Sequence, residues 1–271
     1  MLKTQSVPLG NSAEAGARSG ASGARSPHWL GWLSLPIGLG LLLILWAALS
    51  RLYPPFILPG PADVAARFVQ AAADGTLFRH LGVTFVEALL GFTVGFIVAV
   101  VLGYGIAKQP LVERIISPYV VASQAVPIVA LAPLLILWFG HGLASKVLVC
   151  ALVVFFPILV NTVVALRSVD PQSRELMHSL NASPWHTFTK LELPASLPIM
   201  FGGIRMGVTL CVIGAVVGEF VGADTGLGAL VNLARGMFDT SLMFVALFTL
   251  IALAMSLYLL VTLVERLVTR P

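Results

Sequence analysis

Residues 170–198 read DPQSRELMHSLNASPWHTFTKLELPASLP, a polar, proline-punctuated stretch between two long apolar runs. Asp170-Pro171 and Ser183-Pro184 each place a capping side chain before a proline, the pattern with which many helices begin. Asn181 stands between these pairs, and asparagine tolerates the left-handed backbone conformation in which many helices end. The stretch therefore predicts two short helices that meet at a tight corner.

Apolar side chains mark one face of each short helix. Leu176 and Leu180 are spaced by four residues in the first, and Pro194 is expected to end the second. The second helix carries three apolar residues at three-residue steps: Trp185, Phe188 and Leu191. Two interpretations remain open: a soluble partner binds this loop, or the loop is a surface hairpin that packs on its own membrane domain.

The rest of the chain has the composition of a membrane protein. Hydrophobic residues make up 58% of the 271, charged residues 10%, and the mean hydropathy is +0.96. Soluble domains carry about 25% charged residues. Because about 20 apolar residues in a helix cross the hydrocarbon core, we predict an all-α polytopic membrane protein with six transmembrane helices. The predicted spans are Leu30 to Ser50, Leu81 to Ala107, Ile115 to Phe139, Val147 to Leu166, Met200 to Val221 and Leu242 to Val264.

The two ends of the chain are interpreted from their composition and charge. Residues 1–28 are small, polar and basic and are expected to be a disordered cytoplasmic tail, followed by a transmembrane domain over residues 29–271. If the N-terminus is cytoplasmic, eleven of the 16 basic residues fall on the cytoplasmic side, as the positive-inside rule favours. Both termini and the loop of residues 167–198 are therefore predicted to be cytoplasmic. The net charge of +4 then requires no nucleic-acid partner.

The loop sequence resembles the EAA loop of binding-protein-dependent ABC importer permeases. The resemblance rests on Glu175, on Asn181-Ala182 at the turn and Trp185 after it, and on the closing Leu193-Pro194. Leu176-Met177 replaces the family's Ala-Ala, and Asn181 replaces its glycine. Flanking pieces are similar to permeases of the nitrate, sulfonate and taurine group. Residues 218–224, GEFVGAD, look more like permeases for thiamine-precursor pyrimidines or riboflavin.

The resemblance implies a type I importer permease of the bacterial inner membrane. Its partners would be an ABC ATPase subunit, a periplasmic or extracellular solute-binding protein, a second permease copy and the lipid bilayer. The loop residues quoted above would couple this chain to the ATPase. The chain contains no Gly-Lys dipeptide and so no phosphate-binding G-x-x-x-x-G-K-[ST] loop. We therefore expect no enzyme activity, catalytic residue, metal or cofactor in this chain, with ATP hydrolysis on a separate subunit.

Three polar residues inside the predicted spans are candidates for the solute pathway: Glu87, Gln124 and Glu219. A carboxylate in a membrane normally faces a partner or a water-filled cavity, so an ion pair with Arg79, Lys146 or Arg235 is the alternative. Asn161 has the same ambiguity. Riboflavin or a pyrimidine is the favoured solute, because two acids suit an imported anion poorly. A nitrate, sulfonate or taurine permease and a stand-alone secondary transporter remain the alternatives.

Two further features point to packing. Gly91 with Gly95, and Gly214 with Gly218 and Gly222, repeat at four-residue spacing. Such small-residue stripes let membrane helices approach closely. Cys150 and Cys211 fall inside predicted spans and are interpreted as small packing residues. Proline residues in the third and fourth spans are either packing kinks or part of a pathway lining.

Overall fold

The structure, a computed structural model, describes residues 28–269 apart from the side chains of residues 28–35, 121, 123 and 124. This part of the chain is helical and contains no β-strand. Its α-helices are α1 His28–Ser50, α2 Pro61–Ala73, α3 Thr76–Lys108, α4 Pro110–Gln124, α5 Ile128–Phe139, α6 Leu143–Arg167, α7 Pro171–Ser179, α8 Pro184–Thr187, α9 Leu193–Phe220, α10 Leu227–Gly236 and α11 Thr240–Val268. A π-helical turn over Phe188–Glu192 joins α8 to α9.

Contacts divide the chain into two units, residues 1–45 and 46–271, with the division inside α1. The main buried apolar cluster belongs to the second unit. The predicted tail over residues 1–28 lies outside the described residues except for His28, where α1 begins.

Among the described residues, four helical segments are long and apolar enough to cross a membrane: Thr76–Lys108, Leu143–Arg167, Pro184–Phe220 and Thr240–Val268. They confirm the second, fourth, fifth and sixth predicted spans as long apolar helices. Two shorter apolar helical segments, Pro36–Ser50 and Ile128–Phe139, fall in the first and third predicted spans. The chain is thus a multi-pass membrane protein.

The third predicted span, Ile115 to Phe139, is wrong as one continuous helix. The chain forms α4 and α5 there, with a break before Pro127, which caps α5 in an extended conformation. Proline lacks an N–H and disfavours a helical conformation in the residue that precedes it. The single long apolar run therefore concealed a helix boundary.

Pro194 does not end the second loop helix, as the sequence had suggested. It lies in the first turn of α9, where the fixed φ of proline is compatible with the helix. The π turn just before it, closed by the Leu193 N–H on the Phe188 carbonyl, joins the two helices without a break. Pro184–Phe220 is therefore one continuous helical segment.

Helix α6 packs between α3 and α9, and glycines on both neighbours make the approach possible. A Cβ at Gly91 would collide with Cys150 Cβ, and one at Gly95 would lie 2.7 Å from the Ala151 carbonyl oxygen. On the other side, a Cβ at Gly214 would lie 2.8 Å from Cys150 Cα. The predicted packing role of these stripes is confirmed. Cys150 and Cys211 are free and buried.

Candidate functional site

The loop between α6 and α9 begins with a capped helix. Asp170 Oδ2 accepts hydrogen bonds from the Ser173 amide at 3.0 Å and from Ser173 Oγ at 2.8 Å. Hydrogen bonds from Ser173 also hold the pKa of Asp170 below its ordinary value, so the capping carboxylate is charged at neutral pH. Pro171 follows in the first turn, as predicted.

The corner after α7 is a Schellman motif with asparagine in the left-handed position. Asn181 has φ 50°, and its N–H donates to the His178 carbonyl at 3.0 Å. The Ala182 N–H donates to the Met177 carbonyl at 3.0 Å. These two bonds satisfy carbonyls that the helix end would otherwise leave open. The predicted turn at Asn181 is confirmed.

The second short helix starts on Ser183, whose Oγ accepts the His186 N–H at 3.3 Å. Phe188 packs against Tyr104 of α3, with ring centroids 5.3 Å apart, and its ring centroid lies 5.9 Å from that of Trp185. The apolar face predicted from the three-residue spacing thus contacts the membrane helices through Phe188. It fixes the position of the loop on α3.

Several large apolar side chains of the loop remain exposed. Leu176, Leu180 and Trp185 leave 60%, 68% and 68% of their surface open, which is unusual for large apolar side chains in a loop that is otherwise polar. Glu175, Asn181 and Pro194 are exposed as well, while Ala182 and Leu193 are half-buried. Of the residues predicted to couple to an ATPase, Leu193 and Pro194 therefore lie in the first turn of α9. The other four surround the α7–α8 corner: Glu175, Asn181, Ala182 and Trp185.

Glu192, which sequence reasoning missed, anchors this loop to the membrane helices. Its side chain is buried, and its two oxygens accept hydrogen bonds from Lys108 Nζ at 2.6 and 2.8 Å. Arg174 Nε of α7 lies 3.7 Å from the same carboxylate, and Arg174 Nη2 donates to the Leu166 carbonyl at the end of α6. We call Lys108, Arg174 and Glu192 the anchor cluster. The sequence signal that could have indicated this role is a single acidic residue between two leucines, Leu191 and Leu193.

A second buried cluster lies at the other end of the same helices, and it contains both predicted membrane acids. Glu87 of α3 accepts a hydrogen bond from Lys146 Nζ of α6 at 2.8 Å. Glu219 of α9 accepts the Thr84 hydroxyl at 2.6 Å and the Gly228 N–H at 2.5 Å. Glu87 and Glu219 are 1% and 0% exposed.

The loop between α9 and α10 closes over this acid cluster. His80 Nδ1 lies 2.7 Å from the carbonyl oxygen and 3.1 Å from the amide nitrogen of Gly226. Gly226 has φ 121°, and a Cβ there would also collide with the Glu219 carboxyl group. Only glycine meets both conditions. Glu219 therefore ties α9 to α3 and to the start of α10.

The three pathway candidates thus have different surroundings. Of the basic partners considered for the two acids, Lys146 pairs with Glu87, while Glu219 is held by a hydroxyl and a backbone amide. The side chain of Gln124, at the end of α4, lies outside the described residues. Among the described residues, no group of three or more His, Cys, Asp or Glu side chains could hold a metal ion.

Comparisons with known proteins relate this chain to a family of transport proteins. Residues 91–270 match the family described as the binding-protein-dependent transport system inner membrane component. The chain is 52% identical to a riboflavin transport system permease protein of Chloroflexus aurantiacus, over 88% of this chain and 90% of that protein. It is 36% identical to a formylaminopyrimidine transport permease protein of Halalkalibacterium halodurans, over 78% of this chain and 84% of that protein.

A putative aliphatic sulfonates transport permease protein of Bacillus subtilis is 30% identical over 90% of this chain and 88% of that protein. The solved structure of the methionine ABC transporter MetNI, in an inward-facing conformation, shares the fold with a TM-score of 0.59. It is 22% identical and covers 72% of this chain and 94% of its own. The resemblance drawn from the EAA-type loop is confirmed. The chain belongs to the binding-protein-dependent transport system inner membrane component family and is a permease subunit of an ABC transporter.

Proposed function

We propose that this permease subunit imports riboflavin or a closely related neutral heteroaromatic compound, driven by ATP hydrolysis on a partner subunit. The observation that carries the solute assignment is the 52% identity to the riboflavin permease protein over nearly the whole of both chains. A thiamine-precursor pyrimidine is the second candidate, supported by the formylaminopyrimidine permease protein. The alternative solute is a sulfonate or taurine, which carries a charged sulfonate group.

The charges inside the membrane helices favour a neutral solute. Lys146, in the first turn of α6, and Arg205, in the middle of α9, each face an acid: Glu87 at 2.8 Å and Glu265 at 3.4 Å, respectively. A bound anion in a low-dielectric site needs a cation or hydrogen-bond donors of its own. A sulfonate would have to compete with these carboxylates for both bases.

The partners in this proposal follow from the loop. The exposed edge around Glu175, Leu176 and Trp185 docks on the ABC ATPase, and the anchor cluster connects that edge to α3, α6 and α9. A solute-binding protein delivers the solute on the opposite side, and a second copy of the chain completes the pathway. A stand-alone secondary transporter would instead take up solute without any ATPase, which makes omission of that subunit a discriminating control.

The topology in this proposal has six crossings, with α1 as the first and α4 together with α5 as the third. Both termini and Asn181 then lie in the cytoplasm of a bacterial cell, while Asp63 and Asp224 lie outside. In a chain with Cys150 and Cys211 replaced, an impermeant thiol reagent applied to intact cells should label Asp224→Cys and spare Asn181→Cys. Labelling at 181 alone would reverse the orientation.

The two membrane acids have a structural role in this proposal. Both are buried within one chain, and each already has a partner, so neither is positioned to contact solute in this conformation. Direct contact of Glu219 or Glu87 with the pathway is the alternative, and it requires a conformation in which Gly226 and the start of α10 move away from Glu219.

The solute assignment is tested by uptake in proteoliposomes that contain the chain with its ATPase and binding protein. Radiolabelled riboflavin should accumulate inside the proteoliposomes only when ATP is present on the side of the membrane that carries the ATPase. Excess unlabelled riboflavin should abolish accumulation of the label. Formylaminopyrimidine should compete weakly and taurine not at all. Taurine accumulation without riboflavin accumulation would contradict the proposal, and ATP-independent accumulation would favour the secondary transporter.

A further inference from the structure

A groove of 420 Å³ opens between α5, α6 and α9, away from both charged clusters. Its lining side chains are apolar with one exception, Asn161 of α6. Its walls include a phenyl ring and a thioether, from Phe156 of α6 and Met206 of α9. Small-molecule sites typically measure about 300–1,000 Å³ and combine apolar walls with a few fixed polar groups. The groove has both properties.

The Asn161 amide is held in place from two sides. Its Nδ2 donates to the Pro157 carbonyl at 2.8 Å, one turn earlier in α6. Across the helix interface, a Cβ at Gly203 of α9 would lie 2.6 Å from Asn161 Cβ, so α9 packs directly on this residue. The amide oxygen and the second N–H of the amide make no other hydrogen bond to the described residues. A fixed amide with a free acceptor and a free donor therefore lies on an apolar wall.

This arrangement selects a class of ligand by its chemistry. A side-chain amide pairs best with a ring edge that carries a donor and an acceptor side by side, as a cyclic imide or lactam does. A flat aromatic ring suits the phenyl ring of Phe156 and the thioether of Met206. A sulfonate offers acceptors only, and no charged side chain lines the groove to neutralise it.

We propose that this groove, with Asn161 as its specificity-determining residue, binds the solute during translocation and selects neutral heteroaromatic rings with an imide-type edge. The inference rests on the proposed import of a riboflavin-like solute and adds the place where the permease itself recognises the ring. The isoalloxazine ring of riboflavin has such an edge at its N3–H and the neighbouring carbonyls.

The test compares transport of riboflavin with transport of 3-methylriboflavin, in which a methyl group replaces the N3–H. Asn161→Leu keeps a side chain of similar size without the amide, and it should lower the preference for riboflavin about tenfold, as loss of one hydrogen bond implies. The same binding protein serves all variants, so its own preference cancels. Asn232→Leu is the matched control, because Asn232 of α10 donates to the Phe220 carbonyl outside the groove, and it should keep the wild-type preference.

An unchanged preference in Asn161→Leu, with riboflavin uptake intact, would overturn the groove assignment and leave the proposed function standing. If the wild type takes up no riboflavin, the solute assignment fails, and thiol protection of Val160→Cys then tests the groove by itself. Protection by formylaminopyrimidine or another neutral ring compound would support the groove. Protection by taurine alone, or no protection, would refute it. A disulfide formed under an added oxidant between the Val160→Cys side chains of two copies would also refute it, because it would show a second copy filling the groove.

Discussion

Lys108 Nζ lies 2.6 and 2.8 Å from the two carboxylate oxygens of Glu192, which joins the last turn of α3 to the turn that leads into α9. The pair is asymmetric, because the lysine side chain is 43% exposed and the glutamate side chain 2%. This ion pair would therefore transmit a movement of the loop directly to α3 and α9.

The asymmetry predicts unequal effects of the two neutral substitutions. Lys108→Gln leaves a buried carboxylate with only Arg174 nearby, so we expect the assembled complex to lose about 1–3 kcal/mol of stability. Glu192→Gln leaves a lysine that can reach water and should cost less than about 1 kcal/mol. Thermal unfolding of the purified complex measures both. The double substitution should be milder than Lys108→Gln alone, and a double variant that is worse than either single one would contradict this account.

Glu192→Gln has a second expected effect, because it removes the ionic attraction that links α7 and α3 to the start of α9 while the complex remains assembled. ATPase activity should continue but lose about tenfold in its stimulation by the loaded binding protein, within the usual range of coupling energies. Normal stimulation in a stable Glu192→Gln complex would show that the anchor cluster only supports the fold.

Close packing of α6 predicts opposite outcomes for two alanine substitutions in α3. Gly91→Ala forces a methyl group into Cys150 Cβ, and over-packing of this kind costs about 1–3 kcal/mol. Gly105→Ala meets nothing within 4 Å and should be neutral or stabilise by up to about 1 kcal/mol, since alanine favours helix. Thermal unfolding of both variants measures these effects. Equal stability of the two variants would contradict the prediction.

Substitutions of Glu87 and Glu219 can distinguish a structural role of these acids from a role in the solute pathway. Glu219→Gln removes the charge and places an N–H₂ group against Thr84 or the Gly228 amide. We expect a lower unfolding temperature with near-normal uptake per assembled complex. Glu87→Gln should be more damaging, because Lys146 is then buried without its acid, and Glu87→Gln with Lys146→Met should recover stability. Full stability with lost uptake in Glu219→Gln would instead assign that residue to the pathway.

The corner at Asn181 makes a separate prediction. Its φ of 50° is open to glycine and asparagine but strained for a β-branched residue. Asn181→Gly should therefore retain uptake, whereas Asn181→Val should lose it by displacing Ala182 and α8. The comparison is made at equal membrane levels, and indifference to valine would show that the corner conformation is unimportant for coupling.

These residues also show what sequence can and cannot predict. The caps at Asp170 and Ser183 and the turn at Asn181 follow from local rules that involve neighbours within a few residues, and they were predicted correctly. Pro194 was misinterpreted because proline is equally compatible with the end of one helix and the first turn of the next. The prolines of the third span were interpreted as kinks or pathway lining. The end of a helix before Pro127 was not predicted, because hydropathy registers apolar length but not backbone continuity.

Partner choice was harder to predict than secondary structure. Lys108 and Glu192 are 84 residues apart, and Glu87 and Lys146 are 59 apart. Charge patterns along the chain gave three basic candidates for each membrane acid, and only packing of α3 against α6 selected Lys146 for Glu87. The groove at Asn161 likewise depends on the approach of α9 at Gly203, which no local pattern specifies.

The central claim is that the α7–α8 corner couples this permease to its ATPase, and Ala182→Asp tests it most directly. The substitution places a carboxylate at the α7–α8 corner, between the exposed Leu180 and Trp185. Ala66→Asp, on an exposed position of α2, serves as the control. Co-purification of the ATPase and ATP-driven uptake are measured together in membranes with equal amounts of each variant. We predict that Ala182→Asp inserts normally but loses both the ATPase and uptake, while Ala66→Asp keeps them. Retention of the ATPase and of uptake by Ala182→Asp would contradict the account.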